Sequence, residues 1–188
     1  DTTLEKIEID GLEATWNSIT GRYEIKVNRD INSYSVEAIA TELTAEVSVD
    51  GTNGTHTATK MVTNQLGETI VPIRVTAPNT ITSKVYNLAI IEKSNNAMLG
   101  YVKLNGKAVA PNGDGEYYLE VVSKVQSVLV EVGAQHDGAT INLEGEDQTG
   151  VWRGTKVLQT DLEEYDFTIT AENGSPTTGP YTIKIKTS

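Results

Sequence analysis

The chain has 188 residues, 38% of them hydrophobic, with 15 basic and 26 acidic side chains, a formal net charge of −11 and no cysteine. That length holds one large domain or two small ones. The acidity excludes a nucleic-acid partner, which needs clustered Lys and Arg against the phosphates. The composition excludes disulfides, and no apolar run reaches the roughly 20 residues of a membrane helix, so no membrane insertion is expected. The chain begins at Asp1 without Met or signal sequence and is read as a piece of a longer protein.

In chain order, apolar residues alternate with others at period two, the signature of strands with one face buried and one wetted. In the first half the predicted strands centre near residues 7, 25, 37, 47, 59, 73 and 88. No stretch shows a helical period. Turn dipeptides fall between the runs: Asp10-Gly11, Asp50-Gly51, Asn53-Gly54, Asn105-Gly106, Asn112-Gly113 and Asn173-Gly174.

The second half repeats the first. Leu4, Ile7, Ile9, Asp10 and Gly11 recur 95 residues on as Leu99, Val102, Leu104, Asn105 and Gly106. Tyr23, Ile25 and Val27 recur 94 residues on as Tyr117, Leu119 and Val121, and Ala45, Val47, Val49 and Gly51 as Ala139, Ile141, Leu143 and Gly145. Tyr86, Leu88 and Ile90 recur at 95 as Tyr181, Ile183 and Ile185. The chain therefore divides into repeats 1–94 and 95–188, carrying −5 and −6. The join Ser94-Asn95-Asn96-Ala97 is short and polar, which predicts a stiff tandem and a monomer. About seven short strands in each repeat predict an all-β chain of two tandem immunoglobulin-like antiparallel β-sandwiches.

The opening Leu-x-x-Ile-x-Ile-Asp-Gly, the central Ala-x-Val-x-Val-x-Gly and the closing Tyr-x-Leu-x-Ile resemble the cadherin-like β-sandwich repeats of bacterial surface and secreted proteins. The second repeat, with Ala139 to Gly145 and Tyr181 to Ile185, looks closer to that family. The resemblance implies a non-catalytic spacer or adhesion-type module of a larger extracellular, surface-attached or secreted protein. It implies other domains of the same polypeptide as partners, with a cell-surface protein or a polysaccharide beyond them. The absence of cysteine fits that setting. The calcium motifs of true cadherins are missing, so their interdomain clamp is not carried over.

Candidate chemistry is sparse. No nucleophile elbow or phosphate loop is present, no catalytic residue is assigned, and no cofactor is expected. His56 and His136, one per repeat but not equivalent, read as surface residues. Two stretches offer hard oxygen ligands for calcium: Asn112, Asp114 and Glu116 in the first, and Asp161, Glu163 and Glu164 in the second. Calcium takes about 6–8 oxygens, which neither supplies locally, so a turn and a solvated loop are preferred. Trp152 beside Arg153 would make a small patch for carbohydrate stacking and recognition if exposed, but a Trp152 that caps the sandwich core is preferred. Trp16 reads as core, and Tyr23, Tyr86, Tyr117 and Tyr181 as core or corner residues.

Overall fold

A computed structural model describes residues 1–188. The chain forms two compact units, Asp1–Lys93 and Ser94–Ser188. Both are entirely strand and loop.

The first unit contains β1 (Leu4–Ile9), β2 (Leu12–Glu13), β3 (Thr15–Asn17), β4 (Arg22–Val27), β5 (Ser33–Ala40), β6 (Glu46–Val49), β7 (Thr52–Thr55), β8 (Thr57–Thr63), β9 (Glu68–Thr76) and β10 (Ser83–Glu92). They form two sheets, ordered β2-β1-β5-β8 and β3-β4-β10-β9-β6-β7. The second unit contains β11 (Leu99–Leu104), β12 (Lys107–Ala108), β13 (Tyr117–Val121), β14 (Ser127–Ala134), β15 (Thr140–Leu143), β16 (Glu146–Thr149), β17 (Val151–Val157), β18 (Leu162–Thr170) and β19 (Thr177–Thr187). Its sheets run β12-β11-β14-β17 and β13-β19-β18-β15-β16. The orders match strand for strand, except that β3 has no counterpart.

The period-two pattern becomes the core. In β5, Tyr34, Val36, Ala38 and Ala40 are buried, and in β9, Val71, Ile73 and Val75 face them from the opposite sheet within one cluster. Val128, Val130 and Val132 do the same in β14, with Tyr165, Phe167 and Ile169 of β18. Each sandwich is thus closed by the inner faces of its own two sheets.

The turn dipeptides have a mechanical reason. Asp10 and Gly11 both take positive φ (49° and 84°), as do Asn105 and Gly106 (51° and 80°), which is the backbone that two-residue hairpins of right-twisted strands require. The first side chain of each turn extends the ladder. Asp10 Oδ1 accepts from Ser35 N at 2.9 Å, and Asn105 Oδ1 accepts from Leu129 N at 2.9 Å. Asp50-Gly51 joins β6 to β7, and Glu144-Gly145 joins β15 to β16 with the same geometry although Glu is not a turn former. Asn53-Gly54 is corrected: it lies inside β7, where a Cβ on Gly54 would collide with the Thr57 carbonyl oxygen.

Within this architecture one ladder per unit is parallel. β4 pairs with β10 from Tyr23↔Leu88 to Val27↔Glu92, and β13 pairs with β19 from Tyr117↔Ile183 to Val121↔Thr187.

The small drift in repeat spacing also has a physical location. The turn after Asn17 closes on Arg22, whereas the turn after Asn112 closes on Glu116, so the second unit is one residue shorter there. The residue is regained at the irregularity opposite Phe167 to Ile169, where Gly179 (φ 100°) and Pro180 bulge out of β19.

Candidate functional site

Trp152 is a core residue. Only 2% of it is exposed, it pairs with Val132 across the β14–β17 ladder, and its Nε1 donates to the Glu146 carbonyl at 3.2 Å. This is the preferred reading, and the alternative of an exposed stacking face at Trp152 is corrected. β17 is the edge strand of its sheet, and strand alternation turns Trp152 inward and Arg153 outward. Room for the indole comes from Gly154, two residues along the same face. Arg153 is exposed, pairs with Glu131 at 3.5 Å, and exchanges hydrogen bonds with Gln148 through its backbone N and O. Trp152 and Arg153 therefore do not form one patch. A glycine on the inward side of the same strand was the sequence signal that a large side chain lay beside it.

The two acidic stretches meet, but around a lysine. Glu116 Oε2 is ion-paired to Lys184 Nζ, and Glu164 Oε1 lies 3.2 Å from the same ammonium. Asn112 Oδ1 is taken by the backbone N of Asp114 (3.0 Å) and of Glu116 (2.9 Å), which makes the segment a tight Asx turn. Glu163 accepts from Gln159 N (2.8 Å) and Thr160 N (2.7 Å), and these hydrogen bonds hold its carboxyl below the ordinary range. Asp161 is exposed, and its backbone carbonyl accepts from Thr187 N. No group of three or more His, Asp or Glu side chains is placed to hold a metal ion. The structure brings Glu116 and Glu164 together and assigns the other four to turns and surface.

The histidines are half-buried rather than surface residues. His56 sits at φ 65° between β7 and β8, where the second unit has Gly150 at φ 75°. The same two backbone bonds hold both positions: Ala40 N to His56 O and Ala134 N to Gly150 O, His56 N to Ala45 O and Gly150 N to Ala139 O. His136 Nε2 lies 3.7 Å from Glu172.

Trp16 is the exposed tryptophan, at 49%, which corrects its reading as a core residue. It sits on β3 opposite Tyr23 of β4, with its ring 5.2 Å from Tyr23 and 6.5 Å from Tyr86, both edge-on. Tyr86 is buried and its hydroxyl donates to the Thr2 carbonyl at 2.9 Å, and Lys84 Nζ stands 4.6 Å from its ring. In the second unit the same sandwich edge carries a groove of about 350 Å³ lined by Met98, Tyr101, Val109, Pro111, Tyr117 and Tyr181.

These folds and contacts place the chain among known proteins. Residues 4–92 match the cadherin-like β-sandwich domain family. The first unit is therefore similar to cadherin-like domains. The second shares its sheet order, including the parallel ladder, although the resemblance had looked stronger there and the family match falls on the first. No curated protein matches the chain. Solved structures of tandem sandwiches align with both units at low identity. Fibronectin(III)-like modules of Clostridium thermocellum CbhA are 12% identical, with 97% of this chain and 94% of that one covered and a TM-score of 0.38. A chimeric titin Z1Z2 is 9% identical, with 100% and 98% covered and a TM-score of 0.38. No helix is long and apolar enough to cross a membrane.

Proposed function

We propose that the chain is a non-catalytic spacer and adhesion-type interaction module of a larger secreted or surface-attached protein, built to carry tension along the polypeptide. The observation that supports this is the parallel ladder in each unit. β4 lies early in the first unit and β10 ends it, and β13 and β19 hold the same places in the second. Once the strands that precede β4 and β13 are drawn out, tension between β4 and β10, or β13 and β19, slides parallel strands past each other. The ladder hydrogen bonds are then loaded together instead of being unzipped singly.

The carboxylates that could have served chemistry are committed elsewhere: Glu116 and Glu164 to Lys184, and Glu163 to backbone N–H groups. Stretching the full chain in a single-molecule instrument tests the reading. Two separate unfolding events are expected, each releasing roughly 300 Å of chain at about 3.3 Å per residue. Smooth extension without resisted steps would sink the load-bearing role. Co-sedimentation with cell walls and insoluble polysaccharides tests the interaction role.

A further inference from the structure

We propose that the groove on the edge of the second unit receives an aromatic side chain from an extended, basic segment of a partner polypeptide. The chain carries its own template for this contact. In both units the backbone leaving the first hairpin is fixed by equivalent bonds, Ala14 N to Ile7 O and Val109 N to Val102 O, both 2.9 Å. It then runs beside the next long strand to Asn17 in one unit and Asn112 in the other, each closing a turn with its side-chain oxygen. Two residues after Ala14 stands Trp16, and two residues after Val109 stands Pro111. Trp16 sets its indole edge-on against Tyr23 and Tyr86. The matching Tyr117 and Tyr181 pack on Phe167 of their own core, at 6.5 and 5.0 Å, and Pro111 puts no ring at the Trp16 position. They line the open groove with Tyr101, Met98, Val109 and Pro111. Where the first unit has the short strand β3, Pro111 and its neighbours pair with no strand, which leaves a gap with aromatic walls.

The chemistry of the gap selects the occupant. Its lining is aromatic and aliphatic, and the Thr178 hydroxyl beside it already donates to the Ala97 carbonyl at 2.6 Å. A sugar would bring hydroxyl groups that need partners there, whereas an aromatic ring gains edge-to-face contacts with tyrosines. Asp114, in the turn that follows Pro111, is exposed and makes no ion pair, and the second unit carries −6 overall. Lys103 Nζ stands 5.0 Å from the Tyr101 ring, so a partner with Lys or Arg beside its aromatic residue is complementary on the Asp114 side of the groove. A second copy of this chain, at −11, is repelled, and its Trp16 is already packed against its own Tyr23. The proposal supplies an occupant for the interaction half of the function above and does not depend on load bearing, so the stretching experiment and the binding experiment fail separately.

The test titrates the full chain with a capped Lys-Lys-Trp-Lys-Lys peptide and follows backbone amides and the Met98 methyl by NMR. Shifts confined to Met98–Val102, Val109 and the Tyr117 and Tyr181 strand ends support the proposal, provided that a peptide with Ala in place of Trp binds at least tenfold more weakly. Pro111→Trp supplies the missing ring from within and is expected to weaken binding at least tenfold, while Pro111→Ala retains it. The amides of the first unit report that each variant is folded. Equal binding by the Ala peptide, undiminished binding by Pro111→Trp, or shifts produced by neutral oligosaccharides and not by the Trp peptide would each overturn it.

Discussion

Gly154 makes room for Trp152: a Cβ built on Gly154 would stand 2.7 Å from the Cη2 of the Trp152 indole. The contact is within β17, and Trp152 is packed in the second core, so the indole cannot retreat without repacking. Gly154→Ala is expected to destabilise the second unit by about 1–3 kcal/mol and leave the first unchanged. Denaturant unfolding, read by the amides of each unit, checks this. An unaltered second unit would show that the indole has another place to go.

The two tryptophans should behave oppositely. Trp152→Ala leaves a cavity in a closed core and is expected to cost about 3–5 kcal/mol. Trp16→Ala removes a ring that is half in solvent and is expected to cost far less. Urea midpoints of the two variants, compared with the unaltered chain, measure the difference.

Acid should weaken the β3–β4 hairpin late. Hydrogen bonds from Arg22, then Asn17 and Thr20, hold the Glu24 carboxyl at about 2 against an ordinary 4.5. A depressed carboxyl stabilises the fold fully above its unfolded pKa, and that contribution is lost as pH falls from about 4.5 toward 2. Carboxyl carbon NMR should therefore find Glu24 titrating near 2, and Arg22→Ala should move it upward. A midpoint near 4.5 in the unaltered chain would show that the hydrogen bonds do not persist in solution.

Calcium is expected to leave the melting temperature unchanged at millimolar concentration, because Lys184 already stands between Glu116 and Glu164. Lys184→Gln leaves the two carboxylates facing one another and is expected to lower the melting temperature. A calcium-dependent rise in the unaltered chain would mean that the ion displaces the lysine.

The hairpin acceptors should be interchangeable in kind but not removable. Asn105→Asp preserves both the oxygen that takes Leu129 N and the tolerance of positive φ, as Asp10 does in the first unit. Asn105→Ala loses an acceptor, worth about 0.5–1.5 kcal/mol, and adds left-handed strain of about 1–2 kcal/mol. Thermal unfolding of the two variants should separate them by that sum.

Most of the strand plan was legible because burial in a sandwich imposes period two, and Val36, Val47 and Ile73 are placed where that alternation puts them. The repeat was legible because turns such as Asp10-Gly11 need particular backbone chemistry. Three things were not. The parallel β4–β10 ladder depends on which sheet a strand joins, and alternation within one strand says nothing of that. The strand that turns Trp152 inward, Val151 to Val157, was obscured by the four hydrophilic or glycine positions Arg153 to Lys156. The exposure of Trp16 follows from β3, a short edge strand without an equivalent in the second unit, so the repeat gave it no support. Comparing Trp16 with Pro111 at the 95-residue spacing would have pointed to the groove.

No sheet in this chain borrows a strand from its neighbour. Each unit finishes its own ladders before the next begins, with β10 held between β4 and β9, and β19 between β13 and β18. Duplication or loss of a whole unit would leave no unpaired edge that had previously been covered. The reach of a protein assembled from such units can therefore be set by copy number, as a chain is lengthened by links, without redesign of any one of them.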